Sequence, residues 1–518
     1  MPNQDAQMWR PMAQNVEIDA LDSNSNAAIS VADAVRTTLG PKGLDKLLID
    51  QAMNRHVSND GVTILLSLRT IHPVARMIVE IAERQEELVG DGTTTAVVMA
   101  AEMIKEGRRF IREMGVHPTK VVEGIETAVH RACEIIEKES VAIRLEDPTL
   151  EQVVSTALAS KLDGRNLSKF VVQGIRAVAD DAIYDGQYDF EKCIAVIRKA
   201  NFEDQLVDGI VLERKRIDPS TPREKVDSRV LICKLDLKPV KSDWLKEGSR
   251  YSDVLSMEKD RERKSREMVD AILATGAETL LIASPEVDEL VENQLISHGV
   301  FAVRIAQDEV EPLARYLGVR PARMPQDLAQ PDVTAKLGKV YEDEAHSLIH
   351  LERAAGKRMV TVIVSGTTKE TSLERWRAVL DGLNAAEAAL NKKVVPGGGA
   401  AELYVGKRLR DLQLKGVEQV GVDVVNQALE SVMRQILTNA GYNGLEKVMA
   451  AKASPDGYGI DINTGEPTDM LKKGVLDPAL VKTTALQAAG EITRSVLRID
   501  RNLAADNLDP AALSTSNR

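Results

Sequence analysis

The sequence predicts a multidomain chain of mixed α and α/β class, and three observations carry that prediction. Its 518 residues exceed what one hydrophobic core ordinarily holds, so two to four domains are expected. Long stretches at both ends place apolar residues at helical spacing. Between them, short β-like runs alternate with helical ones, the pattern of an α/β domain with some parallel pairing.

The first 26 residues are polar and read as a flexible arm, without the apolar stretch of a secretion signal. "AAISVADAVRTTLG" is helical and stops at Gly40 and Pro41. β segments follow around "KLLID" and "HVSND", and then amphipathic helices in "HPVARMIVEIAERQEELVG", "TTTAVVMAAEMIKEGRRFI" and "TKVVEGIETAVHRACEIIEKES". Shorter helices follow from Glu146. From Gln205, "TLLIAS" and "VFAVRIA" are strands, and "PEVDELVENQLISHG" and "DEVEPLARYLG" are helices. A strand ending at Gly366 returns the chain to helices, beginning with "KETSLERWRAVLDGLNAAEAALNK". The order helical, connector, α/β, connector, helical fits either an inserted domain or a string of domains. A charged excursion, Lys238 to Glu267, interrupts the α/β region as a solvated surface segment or a protrusion.

Composition narrows the function. Net charge is -12 and the pI is near 5.4, which implies no general affinity for nucleic acid. Aromatic residues make up 3%, too few for stacking platforms, so Ala, Val, Leu and Ile must build the core. Cys133, Cys193 and Cys233 lie far apart, which fits a reducing cytoplasm rather than a disulfide framework or zinc ribbon. No apolar run reaches the roughly 20 residues of a membrane span.

The chemistry concentrates in "LVGDGTTTAVVM", residues 88–99. Glycines, a helix start and three threonine hydroxyls suit a phosphate. It is not the G-x-x-x-x-G-K-[ST] loop. Asp91 would repel a bare phosphate, so either a magnesium ion stands between them or Asp91 is a helix cap. "TLGPKG" (Thr38 to Gly43) reads alone as a helix stop, "NDGVT" with Asp60 as a hairpin turn, and "VVPGGGAAE" as another glycine loop before a helix. Asp381 sits mid-helix, where a solvated carboxylate is ordinary. His346 and His350, four apart, could share one helical face, but the Glu of H-E-x-x-H is absent, so they read as packed or exposed side chains. There is no G-x-S-x-G.

These motifs together resemble the chaperonins, and more closely the group II type. The resemblance rests on "AVRTTLGPKGLDKLLID", "VSNDGVTIL", "HPVARMIVEIAERQEELVGDGTTTAVV", "VVPGGGAAE" and "GIDINTGEPTDMLKKGVLDPALVKT", which span nearly the whole chain in the family's order. It implies a mostly helical equatorial ATPase domain (1–137 and 397–518), split by an intermediate domain (138–204 and 357–396). An α/β apical domain (205–356) would carry a lid-like protrusion at about 238–267. It implies Mg2+ and ATP, with Asp91 as the metal ligand and Asp60 and Asp381 positioning the attacking water. Thr38, Leu39, Gly40 and Pro41 would line the nucleotide and its phosphates, and Gly92, Thr93, Thr94 and Thr95 would cradle the phosphates. Lys161 would sense the γ-phosphate, Gly398 would face the nucleotide, and Gly459, Ile460 and Asp477 would lie near adenine and ribose.

The expected partners are unfolded proteins and further copies of the chain in a double ring of eight subunits each, as in the family. Neither nucleic acid, membrane nor a separate co-chaperonin is expected. Trp244, Tyr251, Val254, Leu255 and Met257 are the candidate client contacts. Asn59 before Asp60 is the group II choice, whereas Asp477 is the group I choice, a mixture that would suit a divergent bacterial member. The rival reading is a holdase or scaffold of the same fold with little ATP turnover.

Overall fold

The structure, a computed structural model, describes residues 20–49, 53, 55–68, 70–161, 163–238, 251–284 and 286–503. The chain divides into two compact units, the first from Met1–Arg165 with Asn384–Arg518 and the second from Asn166–Leu383.

The first unit is helical, and both ends of the chain build its core. Helices Ala20–Val35, Pro73–Val89, Thr93–Arg112 and Pro118–Glu139 pack with Ala400–Asp411, Val417–Asn439 and Ala479–Leu497. Ile78, Met99, Met103 and Ile125 from the early half share one core with Val425, Leu429, Leu486 and Ala489 from the late half. The larger of these side chains each contribute about 1.5–3 kcal/mol on burial, and neither half can cover its apolar face alone. Most of this core is aliphatic, as the composition requires, so close fit depends on small residues. Helices Pro118–Glu139 and Val417–Asn439 meet backbone to backbone: a Cβ on Gly421 would fall 1.9 Å from the carbonyl of Gly124.

Two expectations are corrected here. The first helix begins at Ala20, not Ala27. Its polar start, "LDSNSN", hid it, because Asn24 and Ser25 are buried and Asn24 bonds the Asn502 side chain. Residues 1–19 of the expected arm lie outside the described residues. Asp60 is not in the hairpin turn. The hairpin joins Lys46–Ile49 to Arg55–Ser58, and Asp60 caps the next helix, Gly61–Ser67.

The second unit is α/β. Its six-stranded sheet runs in the order Phe301–Arg304, Thr279–Ile282, Glu224–Cys233, Thr334–Asp343, Leu348–Ala354, Ile210–Leu212. The first three strands are parallel, as the alternating pattern predicts, and the others pair antiparallel. Alternate residues face two cores: Val230, Ile232 and Leu281 one, Leu231, Cys233, Leu280 and Ile282 the other. Both faces are therefore covered, which is why these strands read as continuous apolar runs. A three-stranded sheet sets Val360–Gly366 between Ile194–Ala200 and Gln205–Asp208. Within the expected protrusion, residues 239–250 and hence Trp244 lie outside the described residues. Tyr251–Ala274 is one helix, and the side chains of Tyr251, Val254, Leu255 and Met257 are likewise outside the description.

His346 and His350 do not share a helix. His350 lies in strand Leu348–Ala354, where the ladder to both neighbouring strands takes up its backbone, and its ring stacks on Tyr341 at 4.6 Å. His346 sits in the preceding turn, 2.6 Å from the Asp343 carboxylate. Burial pushes the His350 imidazole below its ordinary 6.5, against the opposing pull of Glu352 and Asp343.

Two predictions follow from this packing. Gly421→Ala drives a methyl into the Gly124 backbone and should lower unfolding stability by about 1–3 kcal/mol, read as a lower urea midpoint. The neutral His350 ring should make the second unit lose stability as pH falls below 6.5, because the unfolded chain takes up a proton there first. His350→Phe should flatten that loss in urea melts from pH 7 to 5.

Candidate functional site

The loop that opens the site stands between two helices. Helix Pro73–Val89 ends at Gly90, in the left-handed conformation, and helix Thr93–Arg112 begins after Gly92 at φ 80°. Its N-cap residue, Gly92, has no side chain to cap it. Its first-turn amides and the positive end of its dipole are therefore available to an anion. Asp91 is not the cap residue: its Oδ1 accepts from the Gly92 amide at 2.6 Å. Gln85, fully buried, donates to the Asp91 carbonyl at 2.8 Å and the Val481 carbonyl at 3.4 Å. This fixes the loop from below.

Glycine contacts link the scattered motifs in series, as an arc hereafter called the glycine ring. A Cβ on Gly61 would lie 2.5 Å from Thr94 Oγ1 and 2.9 Å from Thr93 Oγ1, so the Asp60 loop abuts the threonine turn. One on Gly92 would lie 2.5 Å from Val481, and one on Gly397 3.1 Å from the Asp477 carboxylate. Asp477 is four residues before Val481, so both glycine loops meet one segment. On helix Val417–Asn439, Gly399 presses Met433 and Gly40 presses Ile436, at 2.7 and 3.1 Å to the added Cβ. Those two side chains stand three residues apart, on one helical face.

Each remaining candidate has its own support. Asn439 Nδ2 donates to the Arg36 and Leu39 carbonyls at 2.9 and 2.8 Å, and Thr38 is buried with its hydroxyl on the Val35 carbonyl. This holds the Thr38–Pro41 turn. Asp60 Oδ2 accepts from the Thr63 amide at 3.0 Å and its hydroxyl at 2.6 Å, which leaves Oδ1 without a protein donor among the described residues. Asn59 Nδ2 donates to the Ser160 carbonyl at 2.9 Å and so draws Lys161 beside this loop. Gly398 stands at φ 64°, and the Gly397 amide is held by the Val475 carbonyl at 2.9 Å. Gly459 and Ile460 form a short hairpin strand with Pro467–Asp469, and Ile460 shares a core with Ala400, Met433, Met470 and Val475. Asp381 belongs to the second unit. Asn384, three residues on in the same helix, is in the first unit and lies against Gly90.

Sequence reasoning missed Gln85, Asn384, Glu402, Asn439 and Lys482. The amides carry no motif, since one Gln or Asn on a helix is ordinary. Lys482 left a weak trace as a lone cation in the apolar run "ALVKTTAL". Its ammonium lies 2.6 Å from Glu402 Oε1 and 2.7 Å from Asp477 Oδ2. Burial alone would lower its pKa, but the two carboxylates more than reverse this and keep it charged.

The ring fits a magnesium nucleotide. It has backbone surfaces that a Cβ would fill, a glycine-capped helix start, hydroxyls and separate carboxylates. Among the described residues no three His, Cys, Asp or Glu side chains group closely enough to cage a metal. Magnesium is characteristically held by one or two carboxylates and the substrate phosphates.

Removing the Asn439 amide should loosen the Thr38 turn alone. In Asn439→Ala, amide exchange at Leu39, Gly43 and Leu44 should quicken by about tenfold, the equivalent of one or two lost hydrogen bonds. Unchanged exchange would show that the turn holds itself.

Comparison with known proteins agrees with the shared motifs. The TCP-1/cpn60 chaperonin family matches residues 31–507. A thermosome subunit of Methanocaldococcus jannaschii is 33% identical over 510 residues, covering 95% of this chain and 93% of its own. A thermosome subunit of Methanopyrus kandleri is 34% identical over 509 residues, covering 95% and 93%. Thermosome subunit 1 of Haloferax volcanii is 34% identical over 510, covering 95% and 90%. Among solved structures, a group III chaperonin in the open state superposes with a TM-score of 0.80 at 28% identity, covering 93% of this chain and 99% of that one. The chain belongs to the TCP-1/cpn60 chaperonin family and is a chaperone that acts in protein folding.

Proposed function

We propose that this chaperone is driven by binding and hydrolysis of Mg-ATP in the glycine ring, and that it encloses clients in a double-ring chamber. The observation that carries the reading is the linkage of the Thr38, Asp60, Asp91, Gly398 and Asp477 motifs, through glycine contacts, to the glycine-capped start of helix Thr93–Arg112. Phosphoryl transfer needs charge neutralisation and in-line positioning more than covalent chemistry. When bound, magnesium would supply that neutralisation, held by Asp91 and the phosphates. The amides and hydroxyls of Thr93, Thr94 and Thr95 would bind the terminal phosphates. Asp60 Oδ1 would orient the attacking water, and Lys161, beside it, would meet the γ-phosphate. Gly459, Ile460 and Asp477 would bound the nucleoside end.

Asp381 would complete the water-positioning pair. Its place in the second unit, one turn before Asn384, motivates a coupling of hydrolysis to domain movement. The domain division read from the sequence (1–137 with 397–518, 138–204 with 357–396, and 205–356) and the built-in lid at 238–267 belong to the same proposal. So does assembly in rings of eight copies in the cytoplasm. Ring assembly finds support in the hairpin Lys46–Ile49 and Arg55–Ser58, which exposes Leu44, Leu47, Ile49, Met53 and Val57 as an apolar patch on a two-stranded sheet. The three cysteines are free and buried, which suits a reducing compartment.

Asp91→Asn should abolish most magnesium-dependent ATP hydrolysis. Asp60→Asn and Asp381→Ala should bind ATP and hydrolyse it about a hundredfold more slowly. These are read by phosphate release beside equilibrium nucleotide binding. Full turnover in Asp91→Asn would mean that Asp91 only fixes the Gly92 amide. Electron microscopy should show stacked rings, and rings without hydrolysis would favour the scaffold reading.

A further inference from the structure

The buried charges around Lys482 ask for a role. Each comes from a different element on one side of the glycine ring. Glu402 is in the first turn of helix Ala400–Asp411, directly after the triple-glycine loop. Asp477 lies in strand Leu476–Pro478, opposite Val395. Lys482 is one turn into helix Ala479–Leu497, next to Val481, which Gly92 touches. Side-chain exposures are 9% for Lys482, 4% for Glu402 and 21% for Asp477.

This cluster is poorly explained as packing. Two carboxylates share one ammonium, and Glu402 Oε2 is buried with no hydrogen-bond partner among the described residues. An uncompensated buried carboxylate oxygen is costly, and apolar residues of similar volume would ordinarily be no less stable. The arrangement does orient Asp477. Lys482 takes Oδ2 at 2.7 Å and Gly397 stands against the carboxylate, which leaves Oδ1 without a protein donor among the described residues. Glu402 holds the ammonium from the other side at 2.6 Å, so it cannot follow Asp477 if that side chain swings.

We propose that Lys482, braced by Glu402, is a positioning residue that locks Asp477 against the triple-glycine loop with one carboxylate oxygen presented to the nucleotide. The inference rests on the reading of the ring as an ATP site. Lys482 touches no nucleotide itself and acts only through Asp477. On the reading that Asp477 bounds the nucleoside end rather than the phosphates, its contact is equally strong in the ground and transition states. Its loss should therefore raise KM and leave kcat alone.

The test is steady-state ATPase kinetics and ATP binding in the full-length chain. Lys482→Met should raise the KM and Kd for ATP about tenfold, with kcat within about twofold. Asp477→Ala should do the same, and Lys482→Met in the Asp477→Ala background should add nothing. If Lys482→Met does not fold, Glu402→Gln combined with Lys482→Met removes the uncompensated charge and should show the same KM rise. An unchanged KM, a fall in kcat alone, or additive effects in the double variant would overturn the positioning role. A wild-type chain that shows no saturable ATP binding would overturn the ATP reading itself, and the inference with it.

Discussion

Besides its side chains in the shared core, helix Val417–Asn439 meets the rest of the first unit at glycines, where no side chain stands between the two elements. Near one end Gly421 meets Gly124, and near the other Met433 and Ile436 meet Gly399 and Gly40. An aliphatic core rarely fixes loops to within a few tenths of an ångström, because its side chains adjust. Contact at a glycine does so more tightly, since the glycine side has no side chain to rotate away. The early and late halves of the chain are thereby held in one register, and the loops that would face a nucleotide inherit that register. Asp91, Gly92 and the threonine turn follow through Val481, and Asp60 follows through Gly61.

Within that frame the acids have divided tasks. Asp91 spends one oxygen on the next amide, Asp60 one on Thr63, and Asp477 one on Lys482. Each is oriented by its first bond. An acid in an anion loop looks contradictory until a cation is placed between them. Magnesium held by a single carboxylate and the substrate phosphates would resolve it.

Much of this was legible beforehand. Helical periodicity found the long helices, and the alternation from Thr279 to Leu317 found the parallel strands and their crossover helix. The glycine motifs were visible singly, but each was unspecific, and their convergence needed either a family resemblance or coordinates. What escaped is physically consistent. The polar start of helix Ala20–Val35 looked like a loop because its buried Asn24 is satisfied by Asn502, hundreds of residues away. Gln85 and Asn439 support the site through single amides that no local pattern marks. The spacing of His346 and His350 is compatible with a helix, but strand pairing, not spacing, decides the environment of His350, a packed side chain.

A cryo-electron microscopy map of the full-length chain with magnesium and a non-hydrolysable ATP analogue tests the central claim most directly. The account predicts triphosphate density at the first turn of helix Thr93–Arg112 and a metal between it and Asp91, with the nucleoside bounded by Gly398 and Asp477. Nucleotide bound elsewhere, or phosphates at that helix with no metal against Asp91, would contradict it.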